Sequence, residues 1–175
     1  MRSSSQRQQI ENLILVLGRT ITKPLKVYFT GGATAVMLGI RESTIDVDIK
    51  FEPDNEEMYR AIQRLKEKLN MNIELASPDN FIPPLPQWRE RSLFIAQSGK
   101  VRFFHYDLYS QILAKVQRGW SQDLSDASGF VKENIDKKKV FFLFESIKND
   151  FVKYPAINVK LLSVKLKKFF DEKNK

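Results

Sequence analysis

At 175 residues, 42% of them hydrophobic, the chain is long enough for one domain, or for a core domain with an appendage. It has no cysteine, which excludes disulfides and thiolate zinc sites, and no run approaches the roughly 18 apolar residues of a membrane span. The formal net charge of +8 is uneven: residues 137–175 hold 11 lysines against 4 acids, and the remainder holds 18 basic residues against 17 acids. Such a positive segment is either a solvated lysine face on terminal helices or a field that draws in phosphate-rich partners.

In chain order, Ile10, Leu13, Ile14 and Leu17 follow a helical period and predict an amphipathic helix over residues 5–20. This start lacks a small-residue cleavage pattern, so it reads as a helix rather than a signal peptide, and the expected location is cytoplasmic. Pro24 breaks the helix, residues 25–30 read as a strand, and a short helix over 33–39 opens after Gly31-Gly32. Residues 44–51 form a second strand. A helix runs from about Pro53 to Leu69, with Met58, Ile62, Leu65 and Leu69 on its buried side, and residues 71–76 are a third strand.

Pro78, Pro83, Pro84 and Pro86 argue against any regular element over 77–90, and a loop of that length is often functional. Trp88 reads as a packing residue over the core. Residues 92–96 and 101–106 flank a turn at 97–100 and predict a hairpin. Helices follow over 108–119, 122–134, 140–151 and 158–170, with a break at Tyr154-Pro155. Phe141, Phe142, Phe144, Phe151, Phe169 and Phe170 recur at near-helical spacing and read as core or a dimer face. The expected fold class is α/β (α+β), a small mixed sheet flanked by helices with a helical C-terminal half. The expected domains are residues 1–106, a core with its N-terminal helix, and 107–175, a helical region packed on that core.

The most informative stretch is VYFTGGATAVMLGIRESTIDVDI, residues 27–49. A glycine pair between a strand and a helix lets backbone N–H groups approach a phosphate, because no Cβ obstructs them and a helix N-terminus favours anions. Thirteen residues separate Gly32 from Asp46-Val47-Asp48. On a strand, alternate residues share a face, so the two carboxylates stand together and Ile45, Val47 and Ile49 face the other way. Like charges at that distance repel unless a positive group joins them. Mg²⁺ is typically held by one or two carboxylates plus substrate phosphates, so the pattern places a triphosphate beside a divalent metal site.

Gly31-Gly32, the thirteen-residue gap and Asp46-Val47-Asp48-Ile49 resemble the nucleotidyltransferase superfamily, typified by polymerase-beta-like and minimal nucleotidyltransferases. The resemblance implies a third acid between hydrophobic residues on a later strand. Glu74, in Ile73-Glu74-Leu75, is the first choice because it follows one helix after the aspartate pair; Asp107, in Tyr106-Asp107-Leu108, is the second. Lys115 and Arg118, followed by Asp123 and Asp126, look like a segment of AbiEii-like nucleotidyltransferase toxins and related prokaryotic proteins. There the lysine is thought to hold nucleotide phosphates and the later aspartate to lie near the site. The plainer reading is a surface pair salt-bridged to Asp123 and Asp126. Where many members have Gly-Ser this chain has Gly-Gly, and Thr34 is a candidate for the missing hydroxyl.

The resemblance implies Mg²⁺-dependent transfer of a nucleoside monophosphate to a hydroxyl on RNA, such as a tRNA end, on protein or on a small molecule. It also implies a toxin–antitoxin or abortive-infection setting, with an antitoxin protein as partner. In that scheme Asp46, Asp48 and Glu74 hold one or two Mg²⁺ ions, while Gly31, Gly32, Lys115 or Arg118 hold the phosphates of a nucleoside triphosphate substrate. The alternative is a non-catalytic module that binds nucleotide or RNA with the same fold. His105, the only histidine, ends a strand and reads as structural more readily than as a base.

Overall fold

The computed structural model describes residues 5–172. The chain forms two compact units, one of residues 1–77 and 92–106, the other of 78–91 and 107–175. Residues 78–91, which the sequence groups with the segment before 107, associate with the helical unit. Ile82, Leu85 and Trp88 are buried, and Tyr154 Oη, also of the helical unit, donates a 2.7 Å hydrogen bond to the Asp79 carbonyl.

The first unit begins with a two-residue strand, β1 (Ser5–Gln6), and helix α1 (Arg7–Thr20), in which Ile10, Leu13, Ile14 and Leu17 are buried as their spacing requires. Then come β2 (Leu25–Thr30), α2 (Gly31–Met37), β3 (Ser43–Thr44), β4 (Asp46–Glu52), α3 (Glu56–Lys68) and β5 (Asn72–Leu75). Helix α3 is well specified locally. Asn55 caps it by accepting from the Met58 N–H at 2.9 Å, Glu56 and Glu57 sit in the first turn, and Lys66 and Lys68 in the last, each complementing the helix dipole. Its buried side is Met58, Ala61, Ile62 and Leu65, while Leu69 caps the end and is only partly buried.

The proline-rich segment carries two short regular pieces, a 3₁₀ turn at Pro78–Asn80 and a one-turn helix α4 (Trp88–Arg91). This corrects the expectation of an irregular loop. A proline is tolerated at the first position of a helical turn, where its missing N–H is not needed, and three apolar side chains anchor the rest. Two strands, β6 (Leu93–Ser98) and β7 (Val101–His105), complete the first unit.

The main sheet has strand order β5-β4-β2-β7-β6; β2 pairs antiparallel with β4 and parallel with β7, β4 parallel with β5, and β6 antiparallel with β7. A separate ribbon pairs β1 with β3. One face of the main sheet supplies Val27, Phe29, Val47, Ile49, Ile73, Val101 and Phe103 to a core shared with α1, α2 and α3. The other face carries Tyr28, Thr30, Asp46, Asp48, Asn72, Glu74 and Phe104, by strand alternation and register. Ile45 does not join Val47 and Ile49 as the alternation suggested. It is 67% exposed, because the expected strand is divided between β3, which pairs with β1, and β4, which begins at Asp46.

The second unit contains α5 (Leu108–Arg118), α6 (Ser121–Val131), α7 (Lys137–Ser146), a 3₁₀ segment (Lys148–Lys153) and α8 (Val159–Glu172). Helix α5 contacts each of α6, α7 and α8. Of the phenylalanines at helical spacing, Phe144, Phe151, Phe169 and Phe170 are buried, whereas Phe142 is 70% exposed. Among the described residues no helix is long and apolar enough to cross a membrane.

Candidate functional site

Register brings the three strand acids to one place. Asp46 stands beside Asn72 and Asp48 beside Glu74 on adjacent parallel strands, and Thr30 at the end of β2 stands opposite Asp48. Residues paired in this way project from the same face. Asp46 and Asp48 are half-buried and Glu74 is exposed. The Asn72 side-chain amide donates to Asp46 Oδ1 at 2.6 Å and to Glu74 Oε1 at 2.8 Å, so one neutral donor group joins two carboxylates.

The glycine pair closes the other side. Gly31 is the first residue of α2 and has φ +57°, the left-handed region that glycine enters without steric cost. A Cβ there would also lie 3.0 Å from Asp48 Oδ2, so the bare backbone and the carboxylate approach closely. Gly32 is glycine for a different reason. It is buried beneath Arg41 and Thr44, whose side chains occupy the space a Cβ would need. Arg41 donates to Thr44 Oγ1, and Thr44 Oγ1 in turn donates to the Asp46 carbonyl at 3.0 Å. The segment after α2 is thereby tied both to the glycine corner and to the first residue of the acidic strand. Thr44 is a residue of this corner that sequence reasoning did not single out; its only signal was position between the glycine pair and Asp46.

Several candidates have other engagements. Thr34 is fully buried; its hydroxyl donates to the Phe29 carbonyl at 3.0 Å and lies 3.3 Å from His105 Nδ1. Because the hydroxyl proton is spent on Phe29, this contact makes His105 Nδ1 the donor. Thr34 therefore braces α2 against the core face of the sheet and offers no hydroxyl to the acidic face. His105 also belongs to the core face. Burial, helped by the nearby Arg7 charge, lowers its pKa to about 4, so the ring is neutral at physiological pH.

Asp107 is fully buried and caps α5, accepting from Tyr109 and Ser110 N–H at 3.3 Å each and from Ser110 Oγ at 2.7 Å. Arg91 grips it bidentately, Nη2 to Oδ2 at 2.8 Å and Nε to Oδ1 at 3.1 Å. Every lone pair that a metal would need is committed, so as a third acid Asp107 is set aside on chemical grounds.

Lys115 is 6% exposed and is not the surface residue of the plainer sequence reading. Its ammonium donates to Asp123 Oδ1 at 3.1 Å and to Asp126 Oδ2 at 2.9 Å, and lies 6.0 Å from the centre of the Phe130 ring. Arg118 Nε pairs with Asp123 Oδ2 at 3.2 Å, and Gln122 donates to Asp126 Oδ1 at 3.0 Å. Two cations thus balance two carboxylates inside the helical unit, and two of the three N–H donors of Lys115 are committed to them. Arg118 is partly exposed and, with Lys165 and Lys168, lines a cavity of about 510 Å³ within this unit.

Among the described residues no three His, Asp or Glu side chains are grouped closely enough to hold a metal ion. The chemistry of the donor set nevertheless fits a hard divalent cation: Asp46, Asp48 and Glu74 offer only carboxylate oxygens. The Asn72 amide already places the positive end of a dipole between two of them.

A mixed sheet with helices on one face, a glycine corner and strand acids on the other, and a helical C-terminal half defines a nucleotidyltransferase-like fold. The chain belongs to the family described as "Nucleotidyltransferase of unknown function (DUF6036)", which matches over residues 6–173. Its structure is similar to the crystal structure of an antigenic nucleotidyltransferase-like protein from Paracoccidioides brasiliensis, at 15% sequence identity and a TM-score of 0.50, covering 94% of this chain and 95% of that one. No curated protein matches the chain.

Proposed function

We propose that the protein is a Mg²⁺-dependent nucleotidyltransferase that moves a nucleoside monophosphate from a triphosphate to a hydroxyl acceptor. The observation that carries this reading is the close approach of Gly31 to Asp48, with Glu74 next to Asp48 in register and Asp46 two residues earlier on the same face. Bound Mg²⁺ supplies charge that stabilises the reacting phosphate and the departing pyrophosphate. Asp46, Asp48 and Glu74 are the residues that would hold it. The Gly31 backbone, which carries no side chain, is the part of this corner against which the polyphosphate would lie. The acceptor hydroxyl forms the new P–O bond, the bond to the β-phosphate oxygen breaks, and the proton passes to the most exposed acid, Glu74. Gly32 contributes by packing under Arg41, and Lys115 and Thr34 are left out of the proposed site.

The acceptor we favour is RNA, including a tRNA end. Support comes from the +7 charge of residues 137–175, 11 lysines against 4 acids, and from Arg118, Lys165 and Lys168 around one cavity. A cytoplasmic toxin–antitoxin or abortive-infection role, with an antitoxin as protein partner, rests on the resemblance of the 115–126 segment to AbiEii-like toxins. A second reading, a nucleotide- or RNA-binding module without turnover, is favoured by the two hydrogen bonds that tie Asp46 and Glu74 to Asn72.

The deciding experiment incubates the protein with each labelled nucleoside triphosphate, Mg²⁺ and total RNA or lysate, and follows label transfer and pyrophosphate release. Transfer that disappears in the Asp46→Asn/Asp48→Asn double variant is the expected result. Transfer unchanged in that variant rejects the site, and nucleotide binding without pyrophosphate release establishes the second reading.

A further inference from the structure

Asn72 occupies a place the proposed chemistry leaves unexplained. It lies on β5, an edge strand, directly opposite Asp46 and two residues before Glu74, so all three side chains leave the sheet on one face. A side-chain amide has two N–H protons, and here the same nitrogen serves Asp46 Oδ1 at 2.6 Å and Glu74 Oε1 at 2.8 Å. We infer that Asn72 is a latch: it withholds Asp46 and Glu74 from a divalent cation until its amide swings away. The inference rests on the metal-dependent reading above and adds the residue that sets how readily the site loads.

The direction of the effect follows from electrostatics. The amide is neutral, so it holds two negative groups together without cancelling their charge. The amide holds one oxygen of each carboxylate, Asp46 Oδ1 and Glu74 Oε1; a cation that takes those two oxygens competes with it, and Mg²⁺ binds at about 2.0–2.1 Å in near-octahedral geometry. The amide nitrogen cannot remain between Asp46 and Glu74 when that happens. Truncating Asn72 removes two hydrogen bonds from the cation-free state alone and leaves two carboxylates facing each other without a donor. The cation-free state rises in energy while the loaded state changes little, so affinity increases. If Asn72 instead gathered the acids for the metal, or offered its carbonyl as a ligand, truncation would weaken binding.

Calorimetric titration with Mn²⁺, without nucleotide, reads this directly on the full chain. Asn72→Ala is expected to tighten Mn²⁺ binding about tenfold, the scale of one charge-assisted hydrogen bond at a partly exposed site. Asn72→Thr suits a strand and has a single donor that cannot bridge both acids, so it should shift affinity the same way and guards against a folding defect in the alanine variant. Asp48→Asn should lose most of the binding. Unchanged or weaker binding in both Asn72 variants, with Asp48→Asn still defective, overturns the latch and leaves the metal reading standing. No Mn²⁺ binding by the wild type, or binding indifferent to Asp48→Asn, overturns both.

Discussion

Replacing Lys115 with methionine separates a structural lysine from a nucleotide-binding one. The ammonium is held by Asp123 and Asp126, whose side chains are 7% and 1% exposed. Methionine keeps most of the stem and removes the charge. Arg118 still reaches Asp123, but Asp126 keeps only the Gln122 amide. Breaking a buried ion pair by deleting one partner typically costs about 3–5 kcal/mol, because the remaining charge is buried without compensation. For a chain of this size that is a fall in melting temperature of roughly 10 °C. Urea denaturation followed by circular dichroism measures the loss. The companion variant Lys115→Met/Asp126→Leu removes the stranded carboxylate as well and should recover most of the stability, as apolar replacements of buried pairs commonly do. A Lys115→Met protein within about 1 kcal/mol of wild type, but with a raised KM for nucleoside triphosphate, would refute this reasoning and return Lys115 to the phosphate site.

Gly31→Ala should destabilise by about 1–2 kcal/mol from its left-handed backbone and also impair nucleotide transfer, since the new methyl reaches Asp48 Oδ2. Gly39→Ala shares a positive φ (+73°) but has nothing within 4 Å of the new methyl, so thermal melts of both should show a similar cost while only Gly31→Ala loses transfer. His105, with its folded pKa lowered to about 4, binds fewer protons folded than unfolded between pH 4 and 6.5. Its contribution is therefore fully present above pH 6.5 and lost as pH falls through about 4, at most about 3 kcal/mol. Denaturation from pH 7 to 4 should show His105→Gln losing less stability than wild type over that window; parallel curves would mean the histidine is not buried as described.

Much of the first unit was legible because its signals are local. Leu25–Thr30 is bounded as expected, the buried side of α1 is the one its period names, and Asp46, Asp48 and Glu74 fall on one face because strand alternation is strict. The misreadings come from long-range partners. Ile45 keeps the alternating pattern but lies outside β4, since the residues before it pair with Ser5 and Gln6, about forty positions away. Prolines announce a loop; they do not announce that Ile82 and Leu85 between them, and Trp88 just after, will be buried. Asp107 and Glu74 look alike as acids between hydrophobic residues, and only Arg91 and the start of α5 distinguish a buried cap from a solvent-facing side chain. Asn72 carried no signal, because an asparagine beside a strand glutamate is unremarked until register sets it against Asp46.

The chain passes from the first unit to the second at residue 77, returns at 92 and leaves again at 106. Residues 78–91 are thus an excursion stitched into a fold that is otherwise finished later in sequence. Cutting the gene after residue 106 would not yield the first unit by itself. Such a product would retain the excursion while discarding its host, leaving Arg91 without Asp107. Anyone seeking a minimal version must excise two stretches together.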